Sequence, residues 1–340
     1  MATDLEFGVF DWVDVHEGQS AAQTYDDRIA LARRADAGDF TRFHVAEHHG
    51  AKLGLAASPA MLLAAIARET SQIKLVPMTL VVPLYDPLRL VQEIAMLDHL
   101  SHGRVELGIG KGSAPHEAKF YGFSPEDMLQ RYESFVPAIF EALATGVFNS
   151  PVTGEQVDLV VTADREFTQW YPSAKPPSII KAAEHGQNTI FGFAFYSPPI
   201  PVIREHRDLF FETRARVDHD GTHPRFGVLR HVFVADTDEE AFAIAGPAFT
   251  AHYANFVWLW EKLGMPQPPK PDLRELVDQR LAFVGSAASV AEQAGSLIEE
   301  TGVNYLAGAF GWGDLPADAA LHSIDLFDRE VIPAIRARLG

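Results

Sequence analysis

The sequence predicts an α/β fold in which strands and helices alternate around a parallel sheet. Four strand–helix units follow one another in the first 145 residues, and such units join parallel strands through right-handed crossovers. Eight of them would close a (β/α)8 barrel, and a chain of 340 residues with 47% hydrophobic residues suits that fold. We expect one domain over residues 1–340, with excursions from the barrel at about 146–177 and 262–285.

Each of the first four units pairs a short apolar run with a longer helical pattern. Pro59 and Pro87 suit the first turn of a helix, and Ser58 can cap the helix that it precedes. One face of the helix after Pro87 is apolar and carries Leu88, Val91, Ala95 and Leu97. We expect strands at 5–12, 42–48, 73–82 and 104–110, and helices at 25–37, 59–70, 87–100 and 125–144.

The second half of the chain alternates less regularly. Four prolines within residues 264–272 mark a surface loop. The only segment available for a fifth barrel strand is 178–180, because the short strands at 157–162 and 167–171 fall within the first excursion. Later strands are expected at 188–195, 225–235 and 304–310, and later helices at 199–217, 238–262, 289–300 and 316–338.

The composition excludes several classes of function. The chain has 28 Lys and Arg against 46 Asp and Glu, and its net charge of −18 repels nucleic acid and anionic membrane surfaces. No run of apolar residues is long enough to span a bilayer, and the N-terminus lacks the pattern of a signal peptide. The absence of cysteine excludes disulfides, thiolate catalysis and iron–sulfur clusters. We therefore expect a cytoplasmic enzyme without nucleic-acid or membrane partners.

The segment FHVAEHH, residues 43–49, ends the second predicted strand with an acid and several histidines. Alternation along a strand places His44 and His48 on one face and Glu47 and His49 on the other. The spacing differs from HExxH, which needs a helix. Three interpretations stay open: a metal site that lacks further ligands, histidines that fill the barrel interior, and an acid/base histidine at the catalytic rim of the barrel.

The segment GRVELGIGKGS, residues 103–113, is a strand that enters a glycine-rich turn. Its glycine spacing differs from the dinucleotide-binding fingerprint, and Gly112 follows Lys111 where a P-loop needs Ser or Thr. Backbone amides and Lys111 would suit a phosphate, although a plain tight turn explains the glycines equally well. Earlier in the chain, Pro77 lacks an amide donor, so the third strand is expected to be irregular there.

Taken together, these segments resemble the bacterial luciferase-like flavin-dependent monooxygenase family. The resemblance covers about residues 5–145 and 225–336, and its specificity comes from the order and spacing of several pieces. These are HVAEHH at 44–49, LVVPLYDPLRLVQEIAMLDHLSHGRVELGIGKG at 80–112, VGSAASVAEQAGSLIEETGVNYLAGAFGWGDLP at 284–316 and SIDLFDREVIPAI at 323–335.

The resemblance implies a (β/α)8 TIM barrel with insertions that uses reduced FMN and dioxygen. A separate flavin reductase would supply the reduced flavin, and the substrate would be a small organic molecule such as an aldehyde, ketone or sulfonate. The flavin carries the oxygen chemistry in such enzymes. The protein orients the ring, excludes water and places an acid/base group.

The resemblance also assigns roles to individual residues. His48 matches the family's catalytic histidine, and Glu117 matches an acidic position near the reactive edge of the flavin. A non-proline cis peptide that supports the flavin ring falls on Met78–Thr79. The phosphate would lie against Lys111 and the turn formed by Gly110, Lys111, Gly112 and Ser113.

One segment departs from the family pattern. After the fifth strand, members usually have a loop of small and hydroxyl residues that holds the phosphate, and then a helix. Here PPSIIKAAEHGQNTIFGF, residues 176–193, leads almost directly from 178–180 to the end of a helix. Either the loop is absent, and His185, Asn188 or Thr189 replaces it weakly, or the segment belongs to other elements.

Alternative functions remain open on the same fold. A non-catalytic barrel subunit would serve as a binding or oligomer partner, and a deazaflavin-dependent oxidoreductase would transfer hydride and ignore oxygen. A metal-dependent barrel hydrolase ranks last because the sequence shows no ligand cluster.

The resemblance further implies a homodimer that packs helices 59–70 and 87–100. Apolar side chains there suit an interface, but core packing within one chain explains them equally well; they are Met61, Leu62, Ile66 and Ile94. The aromatic residues at 252–260 and 170–171 suggest either an apolar wall of the substrate pocket or a buried helix face. The identity of the substrate is left open.

Overall fold

Strands and helices alternate for most of the computed structural model, which describes residues 4–112, 114–163, 165–172, 175–191, 197–217 and 223–340. The strands are β1 (Glu6–Asp11), β2 (Phe40–Val45), β3 (Lys74–Pro77), β4 (Leu80–Val81), β5 (Leu107–Gly110), β6 (Val147–Asn149), β7 (Gln156–Asp158), β8 (Gln169–Trp170), β9 (Thr189–Phe191), β10 (Phe226–Ala235), β11 (Ala282–Ser286) and β12 (Tyr305–Ala309). The helices are α1 (Ala21–Ala37), α2 (Pro59–Glu69), α3 (Pro87–Leu100), α4 (Pro115–Ala118), α5 (Pro125–Thr145), α6 (Pro176–Glu184), α7 (Ile200–Val217), α8 (Asp238–Lys262), α9 (Leu273–Asp278), α10 (Ala287–Thr301), α11 (Ala317–Leu326) and α12 (Ile332–Leu339).

Eight parallel strands form a closed ring. Continuous ladders join β3 to β2, β2 to β1, β1 to β12, β12 to β10 and β10 to β9, and a shorter ladder joins β5 to β8. The third strand joins the fourth through a two-pair ladder between β4 and β5 and a bridge from Leu75 to Val105. A single bridge from Trp170 to Asn188 closes the last gap. This ring is the (β/α)8 barrel that the sequence predicts, and its helices pack around the outside.

The fifth barrel strand is β8, and the prediction of a strand at 178–180 is wrong. Those residues lie in α6, which begins at the proline pair 176–177 and buries Ile179, Ala182 and Ala183 on one face. Proline favours the first turn of a helix, and the spacing of the buried residues is helical. Strand β8 lies within the short strand predicted at 167–171, which was assigned to the first excursion and not to the barrel. Helix α6 therefore begins six residues after β8 ends, and the apparent lack of a connecting segment came from the wrong assignment.

Two groups of elements lie outside the alternating strand–helix pattern of the barrel. An antiparallel hairpin of β6 and β7 follows α5, and α8, α9 and β11 lie between the seventh barrel strand and α10. The first half of β10 pairs with β9, and its second half, from His231 to Ala235, pairs with β11. The sequence analysis missed β11 and α9, which fall within the expected excursion at 262–285.

A polar layer fills the lower part of the barrel interior. Arg42 Nε donates to Glu106 at 2.7 Å, and Trp170 Nε1 donates to the same carboxylate at 2.6 Å. Nε2 of His44 lies 2.6 Å from the Tyr305 hydroxyl, and burial lowers the pKa of His44 well below its usual value. Because these side chains are buried and mutually bonded, they close the floor of the barrel and leave its C-terminal mouth for ligands.

Two further expectations concern helix boundaries and membranes. The helices expected at 87–100 and 238–262 match α3 and α8 to the residue, and α1 begins four residues early because Ser20 caps it by accepting from the Gln23 amide. No helix in the described ranges combines the length and apolar character needed to cross a membrane.

Candidate active site

A cavity of about 540 Å³ opens at the C-terminal mouth of the barrel. Its lining comes from the ends of β1, β2, β3, β5 and β8 and from the short helix α4. Barrel enzymes build their sites from the loops at this end of the strands. Seven of the eight residues that the sequence analysis selects line this one cavity: His48, Met78, Thr79, Gly110, Lys111, Gly112 and Glu117. The eighth, Ser113, lies outside the described residues.

His48 and Glu117 form a hydrogen-bonded pair in the cavity wall. Nδ1 of His48 lies 3.0 Å from Oε1 of Glu117, and the other oxygen of that carboxylate accepts the His49 amide at 3.0 Å. An ionised carboxylate only accepts hydrogen bonds, so Nδ1 of a neutral His48 carries the proton and Nε2 is the basic atom. The pair can therefore take up or release one proton in the cavity.

Glu47 and His49 form a second pair beside the first. Glu47 Oε1 lies 2.8 Å from His49 Nε2, while Oε2 accepts from the Val81 amide at 3.0 Å and from the Tyr85 hydroxyl at 2.8 Å. Burial and the neighbouring Glu47 raise the pKa of Tyr85. Strand β2 ends at Val45, so strict alternation stops before this motif, and both Glu47 and His48 line the cavity. His48 bonds to Glu117, whereas Glu47 connects the end of β2 to β4.

The peptide bond between Met78 and Thr79 is cis and interrupts the third strand, which becomes β3 and β4. The neighbouring glycines of β5 pack directly against this segment. A Cβ atom on Gly108 would lie 2.2 Å from the Pro77 carbonyl oxygen, and one on Gly110 would lie 2.5 Å from Thr79 Oγ1. Close packing therefore explains these two glycines, because a side chain on either would collide with residues 77–79.

Two lysines line the cavity on the side of β5 and β8. Lys111 follows β5, and Lys175 immediately precedes α6, whose Ser178 also lines the cavity. Both lysines are exposed, and neither forms an ion pair with any residue in the described ranges. Two ammonium groups beside a helix N-terminus form an arrangement that attracts phosphate. The sequence analysis missed Lys175 because it placed a strand where α6 begins; the proline pair at 176–177 was the available signal.

The residues proposed to replace the phosphate loop have structural roles instead. Asn188 Oδ1 accepts the Arg225 amide at 2.9 Å, Thr189 Oγ1 donates to the Tyr171 carbonyl at 2.7 Å, and the His185 ring bonds to the Lys181 carbonyl. None of the three lines the cavity. Tyr171 does line it, as expected, whereas Trp170 is fully buried beneath it and residues 252–260 belong to α8 outside the lining.

A second cavity, of about 490 Å³, lies between α2 and α3. Its rim includes three exposed apolar side chains, Met61, Met96 and Leu100, of which Met61 is 76% exposed. Of the four residues expected at a dimer interface, Leu62, Ile66 and Ile94 are instead buried in the core of the chain. Across the described residues, no three His, Asp or Glu side chains are arranged to hold a metal ion.

Comparison with known proteins identifies the family. The model of the family described as luciferase-like monooxygenase matches residues 5–305. The chain belongs to this family. Within the family it is 32% identical to the uncharacterised protein y4wF of Sinorhizobium fredii over 345 residues, which cover 98% of both chains.

Two relatives with descriptive names are more distant. The 3,6-diketocamphane 1,6-monooxygenase of Pseudomonas putida is 25% identical over 97% of this chain and 98% of its own. The oxygenase component of the flavin-dependent trigonelline monooxygenase of Acinetobacter baylyi is 27% identical over 76% of this chain and 72% of its own.

Solved structures share the fold of this family member. The oxygenating constituent of 3,6-diketocamphane monooxygenase from Pseudomonas putida, in complex with FMN, superposes with a TM-score of 0.81 at 23% identity, covering 97% of this chain and 98% of that one. The coenzyme F420-dependent tetrahydromethanopterin reductase of Methanopyrus kandleri has a TM-score of 0.68 at 15% identity, with 97% and 99% coverage. At these identities, both likenesses concern the fold.

Proposed function

We propose that this protein is the oxygenase of a flavin-dependent monooxygenase, which uses reduced FMN and dioxygen to oxidise a small organic substrate. The observation that carries this proposal is the convergence of His48, Glu117, Lys111 and the cis Met78–Thr79 segment on one cavity. These residues come from separate parts of the chain, and the resemblance to the family implies a role for each.

The cavity fits a flavin mononucleotide. Lys111 and Lys175, beside the N-terminus of α6, would neutralise the phosphate. The backbone at Met78–Thr79, which lines the cavity and packs against the glycines of β5, would support the ring. When bound, the reduced flavin would be the group that reacts with dioxygen. The apolar lining at Val81, Leu84 and Met128 would limit access of water.

His48 would act as the acid/base of the reaction. With Nδ1 held by Glu117, the ring has one tautomer, and Nε2 is the atom that takes up or returns a proton. Glu117 also accepts the His49 amide, so the same carboxylate fixes both the ring and the loop that carries it. Glu117 thereby stabilises the orientation and the charge of His48.

The partners follow from the chemistry. A separate flavin reductase would supply reduced FMN, in keeping with the description of the Acinetobacter relative as an oxygenase component. We expect the protein in the cytoplasm, as one domain over residues 1–340.

A homodimer would cover the exposed Met61, Met96 and Leu100 between α2 and α3. Sedimentation of the wild type and of a Met61→Glu variant tests this: we expect a dimer and a monomer, respectively. A wild-type monomer at micromolar concentration would contradict the homodimer.

The decisive experiment is an anaerobic titration of the purified protein with reduced FMN, followed by an air pulse. We expect micromolar binding and re-oxidation of the bound flavin with kinetics different from those of free flavin. Binding of a reduced deazaflavin with no reaction in air would favour the hydride-transferring alternative. Binding of neither cofactor at near-millimolar concentration would favour the non-catalytic barrel subunit.

A further inference from the structure

The cavity has two chemically different sides. Lys111 and Lys175 follow the fourth and fifth barrel strands, whereas Phe10 and Trp12 come from the first. The first and fifth strands of an eight-stranded ring lie opposite each other, so the aromatic residues face the lysines across the mouth. His48 follows the second strand and adjoins the aromatic side.

The Trp12 indole is packed firmly into this wall. It stacks on the His231 ring with 5.0 Å between centroids and 15° between planes, and it meets Phe10 edge-on at 4.8 Å. The ring of His252 lies 5.2 Å away at a tilt. Trp12 is 5% exposed and Phe10 is 1% exposed, so each contributes only a small part of its ring to the cavity lining, and the packing behind holds that part fixed.

A buried chain of hydrogen bonds holds the rings behind Trp12. The Nε2 atoms of His231 and His252 are 3.0 Å apart, and His252 Nδ1 lies 2.6 Å from Asp14 Oδ2. The same oxygen accepts the Gly313 amide at 3.0 Å. All three polar side chains are fully buried, and they join the end of β1 to β10, to α8 and to the loop after β12. Such a network fixes one arrangement of its members.

The backbone beside Trp12 is strained. Val13 lies between Trp12 and Asp14 and has φ of +58°, a region that β-branched residues rarely adopt. The Asp11 side chain accepts the Val13 amide at 2.6 Å, and the Val13 carbonyl accepts the Leu55 amide at 2.8 Å. Strain of this kind persists where the surroundings enforce it, and it is concentrated at functional sites.

We propose that Phe10 and Trp12 form the subsite for the organic substrate, which is an uncharged molecule with an apolar ring. Asp14, His252 and His231 are positioning residues that hold the Trp12 indole in place. This inference rests on the proposed function, because it assigns the aromatic side of the same cavity to the substrate and the lysine side to the flavin. An uncharged ring would pack against this small aromatic patch near His48, whereas a carboxylate there would lose hydration while both lysines lie on the other side of the cavity.

The test compares two probes of equal ring size, 2-acetonaphthone and 2-naphthoate. Equilibrium dialysis under anaerobic conditions measures their binding to the protein loaded with reduced FMN. We expect the ketone to bind at least about tenfold more tightly than the carboxylate. Equal affinities, or no binding of the ketone up to its solubility, would overturn the assignment of an uncharged substrate.

Four variants test the wall and its support. Trp12→Ala should weaken ketone binding about tenfold, and Trp12→Phe should weaken it less because an aromatic face remains. Asp14→Asn should also weaken it. Asp238→Asn is the matched control, since Asp238 anchors the other end of α8 by accepting from the Ser286 amide and the Ser289 hydroxyl and does not line the cavity. It should lower the melting temperature and leave ketone binding unchanged.

Reduced FMN affinity, measured on the same variants, separates this inference from the proposed function. We expect it to stay within about twofold of the wild type in all four. Failure of the wild type to bind reduced FMN would contradict the proposed function. Normal FMN binding, with ketone affinity unchanged in both Trp12 variants, would overturn the subsite alone. Equal loss of ketone binding in Asp14→Asn and Asp238→Asn would mean that the buried chain of hydrogen bonds stabilises the fold and does not position Trp12.

Discussion

Nδ1 of His48 lies 3.0 Å from Oε1 of Glu117, across a separation of 69 residues in the chain. The second oxygen of this carboxylate holds the amide of His49, so α4 and the turn after β5 clamp the loop after β2. The orientation of the ring is therefore set by a segment that also carries Lys111. Binding at the lysine side and the geometry of the acid/base group share one structural support.

Replacement of His48 tests the acid/base role. His48→Ala should reduce turnover by about 10²- to 10⁴-fold and leave the dissociation constant of reduced FMN almost unchanged. The reason is that the proposed role of the ring is proton transfer and not neutralisation of the flavin phosphate. Single-turnover kinetics and anaerobic titration measure the two effects. His322→Ala is the control, since that exposed ring bonds only to Asp236 at the surface. Normal turnover in His48→Ala would remove His48 from the mechanism.

The two lysines should recognise the phosphate and not the ring. Lys111→Ala and Lys175→Ala should each weaken FMN binding about tenfold and leave riboflavin binding unchanged, with a smaller salt dependence than in the wild type. Fluorescence titration with both flavins at two salt concentrations measures this. Lys74→Ala, at the opposite end of the barrel, should behave like the wild type. An equal loss of affinity for both flavins would argue against a phosphate contact.

The packing of β5 against the Pro77–Thr79 segment predicts a large loss of stability on adding one methyl group. Gly108→Ala should lower the free energy of unfolding by about 1–3 kcal/mol, since its Cβ would meet a backbone oxygen that cannot rotate away. Gly246→Ala should instead raise the free energy of unfolding by up to ~1 kcal/mol. Nothing lies within 4 Å of a Cβ atom at this position in α8, and alanine is favoured over glycine in a helix. Urea unfolding measures both. Equal stabilities would show that β5 shifts freely.

His44 predicts a pH dependence of stability. Burial lowers the pKa of folded His44, whereas an unfolded histidine takes up a proton below about pH 6.5. Acid therefore favours the unfolded chain, and the free energy of unfolding falls by ~1.4 kcal/mol per pH unit below 6.5 on account of this residue. In His44→Gln that contribution disappears. Urea titrations at pH 7.5, 6.5 and 5.5 should show diverging curves; parallel curves would mean that His44 protonates normally in the fold.

Much of the barrel was predictable from local pattern. The first four units and the long helices α3 and α8 have apolar runs, helical periodicity and proline at the first turn, which are properties of the segment itself. Strand β8 lies within the strand predicted at 167–171, but its membership of the barrel was not predictable in this way. Its place in the ring depends on Trp170, which donates to Glu106 inside the barrel, and a contact between residues far apart leaves no periodic trace.

Site residues that lie within a sequence motif could be predicted. Site residues that only the folded barrel brings together could not. His48, Lys111 and the Met78–Thr79 segment lie in recognisable stretches, and the cavity contains them all. Lys175 was missed because its place depends on which residues form the fifth strand. The chain from Asp14 through His252 to His231 joins residues 238 and 21 positions apart, so only the folded barrel brings them together.

The uneven closure of the ring has a mechanical consequence. Ladders of four or five residue pairs run through β1, β2, β10 and β12, whereas two-pair ladders and single bridges hold β5 and β8 in the circle. Amide hydrogen exchange should therefore be slow in β1 and β12 and markedly faster around β5 and β8. The stiff arc carries Trp12 and His48, and the compliant arc carries Lys111 and Lys175. A flavin that enters and leaves the cavity would therefore move past the compliant arc. The stiff arc, which faces the proposed substrate, would keep its shape.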